Sequence, residues 1–248
     1  MTAILADIVD EARRVLDEAG SQGTTLALLG GIAVRLHASD IPPSLAREYH
    51  DIDFAVPKGG GRPAGDLLDS LGYDPAKEFN ALQGRDRLLY LDLEHGRQVD
   101  VFVGSFKMCH EIPFDGRLTP GAQTVPLAEL VLTKLQIVEL NEKDVRDTAL
   151  LFYGHEVSDH DDETINGERI AELCAGDWGL WRTITHNLER CREHLGDYSL
   201  PEDDAQRISD RLGDLLARIE ARPKSRGWKL RARVGERKRW YELPDEVA

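Results

Sequence analysis

Two aspartates one residue apart, Asp51 and Asp53, stand in the run Asp51-Ile52-Asp53-Phe54-Ala55-Val56, and a third, Asp100, stands in Gln98-Val99-Asp100-Val101-Phe102-Val103. Side chains alternate between the two faces of a β-strand. Asp51 and Asp53 therefore share one face while Ile52 and Phe54 enter a core, and Val99, Val101 and Val103 turn Asp100 to the face opposite their own. Carboxylates crowded on an apolar strand repel each other, and hard oxygen ligands suit Mg²⁺ or Mn²⁺ as the compensating charge. If the two strands are neighbours, three carboxylates converge. Such a set can hold two cations about 3.5–4 Å apart, the clamp for an in-line displacement at phosphorus. The plain alternative for Asp100 is a strand carboxylate paired with an arginine.

Positioning these residues requires a strand, a turn and a hairpin. The apolar run Leu26–Leu29 ends at Gly30-Gly31, after which Ile32–His37 reads as the start of a helix. Bare backbone N–H groups at the start of a helix suit phosphate oxygens. The Asp51–Val56 strand stops at Pro57, and Gly59-Gly60-Gly61 breaks regular structure. Leu88–Leu93 and Gln98–Val103 alternate around Glu94-His95-Gly96-Arg97, which predicts a β-hairpin. Helices are expected over residues 3–19 and 64–71. After Pro120 the pattern turns helical: 126–140, 143–152, 168–173, 178–194 and 203–221. The expected fold is α/β (α+β), a small mixed-sheet domain over residues 1–120 followed by a helical domain over 121–248.

Lys134 lies among Leu130, Val131 and Val138 at helical spacing, and so on an apolar face. A lysine there needs an anion: a triphosphate, or a buried ion pair with Asp144 or Asp147. Arg47, four residues before Asp51, could bind substrate phosphate or salt-bridge an aspartate. The acidic stretch Asp159–Glu163 reads as a solvated loop, and Trp178 and Trp181 as core.

The net charge is −14, but ten Lys or Arg residues between Arg218 and Arg239 face only Glu220 and Glu236. That segment carries +8 and the remainder −22. With Trp228, Trp240 and Tyr241 interleaved, it suits phosphates and stacked bases; otherwise it is a basic flap docked on the chain's own acidic surface. Cys109, Cys174 and Cys191, widely spaced, fit a reducing cytoplasm rather than a disulfide framework. No apolar run approaches the roughly 18 residues of a membrane span, and Met1–Asp7 lacks the basic start and apolar stretch of a signal peptide.

In this order the motifs resemble the nucleotidyltransferase superfamily, with its glycine turn, apolar-Asp-x-Asp-apolar strand and third strand carboxylate. More narrowly, the chain is similar to the AbiEii/AbiGii toxin-like nucleotidyltransferases across residues 24–153. The residues that carry this are Leu29-Gly30-Gly31-Ile32-Ala33, Arg47, Lys134 in Leu132-Thr133-Lys134-Leu135, and Lys143-Asp144-Val145-Arg146-Asp147. Gly31 stands where the superfamily often has serine, so a hydroxyl contact to phosphate is missing.

The resemblance implies an enzyme that uses Mg²⁺ or Mn²⁺ to move a nucleoside monophosphate from an NTP to a hydroxyl acceptor. Asp51, Asp53 and Asp100 would be its catalytic and metal-binding residues. Gly30, Gly31, Arg47, Lys134, Asp144 and Asp147 would bind substrate. The implied acceptor is RNA, tRNA first, with a toxin–antitoxin setting and hence an antitoxin partner. Nucleotidylation of a small molecule such as an aminoglycoside, and a non-catalytic nucleotide-binding or interaction module, stand as rivals.

Overall fold

The structure, a computed structural model, describes residues 3–243. Met1, Thr2 and residues 244–248, at the ends of the two expected domains, lie outside the described residues. The chain is α/β (α+β) and divides into two compact units. The first comprises residues 1–36, 48–107 and 111–126, the second residues 37–47, 108–110 and 127–248.

In the first unit the elements run α1 (Ile8–Ser21), β1 (Ala27–Leu29), α2 (Gly30–His37), β2 (Asp51–Val56), α3 (Gly61–Leu71), β3 (Asp74–Pro75), α4 (Lys77–Gln83), β4 (Arg87–Asp92), β5 (Arg97–Val103), β6 (Ser105–Lys107) and β7 (Glu111–Pro113). β1 to β5 form one mixed sheet in the order β1-β2-β5-β4-β3, and only β2 and β5 are parallel. Ile52, Phe54, Val56, Val99 and Val101 are buried on one sheet face. α3 packs there so closely that a Cβ on Gly61 would lie 3.2 Å from Val103 Cγ2, and one on Gly65 3.0 Å from the Tyr90 hydroxyl. The other face carries the aspartates.

α1 starts later than the expected residue 3 because Asp7 caps it, accepting from the amides of Val9 and Asp10 at 2.9 Å. A side-chain oxygen at this position satisfies donors that the helix itself cannot. The residues before Asp7 are held instead by side chains: the Leu5 amide donates to Glu11 Oε2 at 3.0 Å, and Arg97 Nη2 donates to the Leu5 carbonyl at 2.6 Å.

The β4–β5 hairpin forms as its alternation predicts, and a buried cluster fixes its turn. Asp92 accepts from the Glu94 and His95 amides, both at 3.1 Å, and from Arg97 Nε at 2.7 Å. Burial by itself would raise the Asp92 carboxyl, but Arg97 beside it holds it below its ordinary range.

The second unit contains α5 (Leu127–Leu135), α6 (Glu142–Gly154), the parallel two-residue strands β8 (Val157–Ser158) and β9 (Ile165–Asn166), α7 (Gly167–Gly176), α8 (Trp178–His194), α9 (Glu202–Ala221) and α10 (Arg226–Val234). α5 stops at Leu135 rather than running to residue 140. Asn187 Nδ2 donates to the carbonyls of Leu135 and Ile137 at 2.8 and 2.6 Å. Those carbonyls are thereby satisfied without another helical turn. Among the described residues, no helix is long and apolar enough to cross a membrane.

Register depends on the Asp92–Arg97 pair, so its loss has a cost. Asp92→Ala leaves a guanidinium buried to 6 % exposure without its carboxylate, and breaking such a pair costs about 3–5 kcal/mol. Urea unfolding of the variant is expected to show a loss of that order; a change within about 0.5 kcal/mol, the scatter of surface substitutions, would count against this role.

Candidate active site

The parallel register of β2 and β5 sets Asp53 opposite Asp100 and Asp51 opposite Gln98, so all four side chains share one sheet face. The expectation that the two strands are neighbours is met. Asp51 is exposed, Asp53 is half-buried and Asp100 is buried. Asp51 has no hydrogen-bond or ion-pair partner among the described residues.

Asp100 is engaged on both oxygens. Arg87 Nε donates to Oδ1 and Gln98 Nε2 donates to Oδ2, each at 2.7 Å. Gln98 reaches it as the same-face residue two positions earlier on β5. Arg87 comes from β4, where Leu89 is the register partner of Asp100 and Arg87 is the next residue on that face. The guanidinium carbon lies 5.2 Å from the ring centre of Phe102 and 5.6 Å from that of Phe79, so two aromatic faces help hold the cation in place. Sequence reasoning left Arg87 out of the site. The register that places it there has Asp92 opposite Arg97 across a turn at 93–96, one residue earlier than the expected 94–97. That register sets Arg87 diagonally across from Asp100.

β1 pairs antiparallel with β2, with Leu29 opposite Asp53, and the chain then turns directly into α2 at Gly30. Gly30 has φ +69°, and a Cβ there would lie 1.9 Å from Asp53 Oδ2. Both the left-handed backbone and the close approach of the carboxylate demand glycine. Gly31 is half-buried in the first turn of α2, where helix N–H groups have no partner within the helix. The glycine turn and the Asp-x-Asp strand are thus in direct contact.

The other candidate residues gather in the second unit. Arg47 grips Asp147 with two parallel bonds, Nε to Oδ1 and Nη2 to Oδ2, both at 2.7 Å. Lys134 Nζ lies 2.8 Å from Asp147 Oδ2 and 3.4 Å from Asp144 Oδ1. Two cations and two carboxylates make an interlocked, largely buried quartet. The ion-pair partner open to Lys134 in the sequence is therefore present. Burial would raise Asp147, but Lys134 and Arg47 hold its carboxyl below the ordinary range; burial raises Asp144, against the pull of Lys134. Burial would lower the Lys134 ammonium, yet the two aspartates raise it.

The basic segment is docked within the second unit rather than free. Trp228 packs edge-on to Trp181 at 5.0 Å, Trp240 packs on Trp178 at 6.0 Å, and Trp240 Nε1 donates to Thr183 Oγ1 at 3.1 Å. These tryptophans anchor the segment instead of offering faces to bases. Nor does it blanket acidic surface. Among the described residues its ion pairs are Arg218–Asp214, Arg222–Glu168 and the reversed Glu236–Arg182. Arg226, Lys229, Arg233 and Lys238 are exposed and have no ion-pair partner among the described residues.

Among the described residues, no group of three or more His, Cys, Asp and Glu side chains is placed to hold a metal ion. The donor set of the sheet face nevertheless fits a hard cation. Asp51 is unengaged, and Asp100 has used one acceptor position on each oxygen of the four or so that a carboxylate offers. No protein-family model matches the chain, and no curated protein matches it.

The buried quartet makes a prediction with a sign. Because the Asp147 carboxyl is depressed in the folded state, its contribution is present at neutral pH and is lost as pH falls below the ordinary carboxylate value of about 4. Asp147→Asn is expected to cost about 3 kcal/mol or more at pH 7, with the gap from wild type closing at acid pH. Denaturant unfolding across that range checks it. A gap independent of pH would mean that Asp147 is not ionised in the fold.

Proposed function

We propose that the chain is a metal-dependent nucleotidyltransferase, moving a nucleoside monophosphate from an NTP to a hydroxyl acceptor and releasing pyrophosphate. The observation that carries this reading is the contact between Asp53 and Gly30, with Asp51 and Asp100 on the same sheet face. It brings oxygen ligands for a cation against a bare helix start suited to phosphate.

Asp51 and Asp53 would hold Mg²⁺ or Mn²⁺, which when bound supplies charge to the phosphate oxygens and to the leaving pyrophosphate. Gly30 and Gly31 would orient the triphosphate through backbone N–H groups. Asp100 would accept the acceptor's hydroxyl proton, and Arg87 would hold that carboxylate in place. The quartet of Arg47, Lys134, Asp144 and Asp147 is self-balanced, so this reading gives it a structural role first.

RNA, with tRNA foremost, is the favoured acceptor, because the exposed cations of α10 and the residues after it can follow a phosphate backbone. With the tryptophans engaged in docking, charge rather than stacking would supply that affinity. Following the motif order, we extend the reading to a toxin held in check by an antitoxin protein.

Incubation with each α-³²P-labelled NTP, Mg²⁺ and total RNA tests the reaction. Wild type is expected to label RNA, Asp53→Asn to lose at least about 10²-fold as an essential electrostatic group is removed, and its melting point to hold. Replacing Arg226, Lys229, Arg233 and Lys238 with Gln should weaken RNA binding and flatten its salt slope by up to about 3. Labelling of an aminoglycoside but not of RNA would move the acceptor to a small molecule. No labelled product from any acceptor would remove the reading.

A further inference from the structure

Arg87 has unused capacity on the aspartate face. A guanidinium carries five N–H groups in a rigid fork, and among the described residues only Nε of Arg87 makes a hydrogen bond, to Asp100 Oδ1 at 2.7 Å. Nη1 and Nη2 make none, although the side chain is only 16 % exposed. The rings of Phe79 and Phe102, 5.6 and 5.2 Å from the guanidinium carbon, and the carboxylate of Asp100 hold the fork in one orientation. Donors withdrawn from water without a partner are costly, and a fixed arginine fork with two open nitrogens suits an oxyanion. Arg87 is also the one cation among the strand residues of that face.

Its place in the row says which oxyanion. The strands run β1-β2-β5-β4 across the sheet. The face therefore reads, in order, the Gly30 turn against Asp53, then Asp100, then Arg87. In the transferase reading the NTP phosphates lie at the glycine turn and the attacking hydroxyl lies at Asp100. The next group along the row belongs to the acceptor, not to the NTP. One fork serves one phosphate. The 3′-hydroxyl of a terminal nucleotide has a single phosphate one sugar away, whereas an internal 2′-hydroxyl is flanked by two.

We propose that Arg87 is a specificity-determining residue for the acceptor, its Nη1 and Nη2 binding the phosphate beside the attacking 3′-hydroxyl of an RNA end. The inference rests on the transferase reading for what lies at Asp100. In the reaction the hydroxyl proton passes to Asp100 as the oxygen's electron pair attacks the α-phosphorus and the bond to pyrophosphate breaks. Asp100 loses its charge in that step, and the guanidinium charge is left to the acceptor phosphate. The contact therefore strengthens in the transition state, where it raises the rate. A polycationic aminoglycoside in the same position would meet a like charge.

Two short RNAs of one mixed sequence test it, alike except that the last internucleotide linkage is a phosphodiester in one and an uncharged methylphosphonate in the other. With Mg²⁺ and an α-³²P-labelled NTP, wild type is expected to label the diester with a kcat/KM about tenfold or more higher, as befits a hydrogen-bonded charge pair. Arg87→Gln and Arg87→Lys should label both RNAs poorly and alike, with the KM for NTP unchanged. Arg87→Lys keeps a cation beside Asp100, so a defect in that variant reports the missing fork and not an unpaired carboxylate. Fluorescence anisotropy of the same RNAs separates this proposal from the transferase reading: Asp53→Asn should lose labelling and still bind the diester more tightly. Wild type that binds the two RNAs alike, or Arg87→Lys that keeps the preference, overturns the role of Arg87. Labelling of an aminoglycoside that Arg87→Gln leaves undiminished overturns it as well.

Discussion

The register between β2 and β5 is the constraint from which the rest follows. Parallel strands lie about 4.8 Å apart, so setting Asp53 opposite Asp100 puts two acidic residues side by side on one sheet face. Like charges directly opposite each other destabilise a sheet. A sheet can bear that only with positive charge close by. Arg87 supplies it to Asp100, held against Phe79 and Phe102, and Gln98 adds a donor. At the other end of the row Asp51 faces solvent. The charge of Asp100 is therefore answered on the β4 side, while Asp51, at the start of β2, is left to solvent.

The second unit shows what a finished electrostatic arrangement looks like in the same chain. Arg47, Lys134, Asp144 and Asp147 number two cations and two anions, interlocked and buried. Isolated buried charges are strongly disfavoured, and complete pairing makes them tolerable. The contrast separates two jobs that carboxylates do here. In the quartet they fix packing, whereas Asp51 keeps an open position that a ligand can use.

Much of this was legible because strong local signals agreed. β2 has the bounds its alternation and Pro57 dictate, and the hairpin forms between its two alternating runs with its turn one residue earlier than Glu94–Arg97, so that Asp92 pairs with Arg97. α8, with Asp177 as its cap and apolar residues at helical spacing, has its predicted ends. What could not be read has physical reasons. α4 buries no residue and so leaves no periodic apolar stripe, and β6 and β7 are three residues each. α10 also buries none; Ser225, whose hydroxyl caps the Trp228 amide at 3.0 Å, was the available signal. The Asp100–Arg87 pair needed the hairpin register as well as the strand. Lys134 was placed on an apolar face by its neighbours, but its choice of partner depended on long-range packing.

A transferase of this kind requires that the aspartate face take a divalent cation. Electron paramagnetic resonance of Mn²⁺ titrated into the full chain reads this without substrate or acceptor. Wild type is predicted to bind Mn²⁺, Asp53→Asn to lose that binding, and Arg87→Gln to retain or strengthen it, since removing the guanidinium leaves Asp100 open to the ion. Mn²⁺ that stays free in the presence of wild type, or binds Asp53→Asn equally well, would contradict the account.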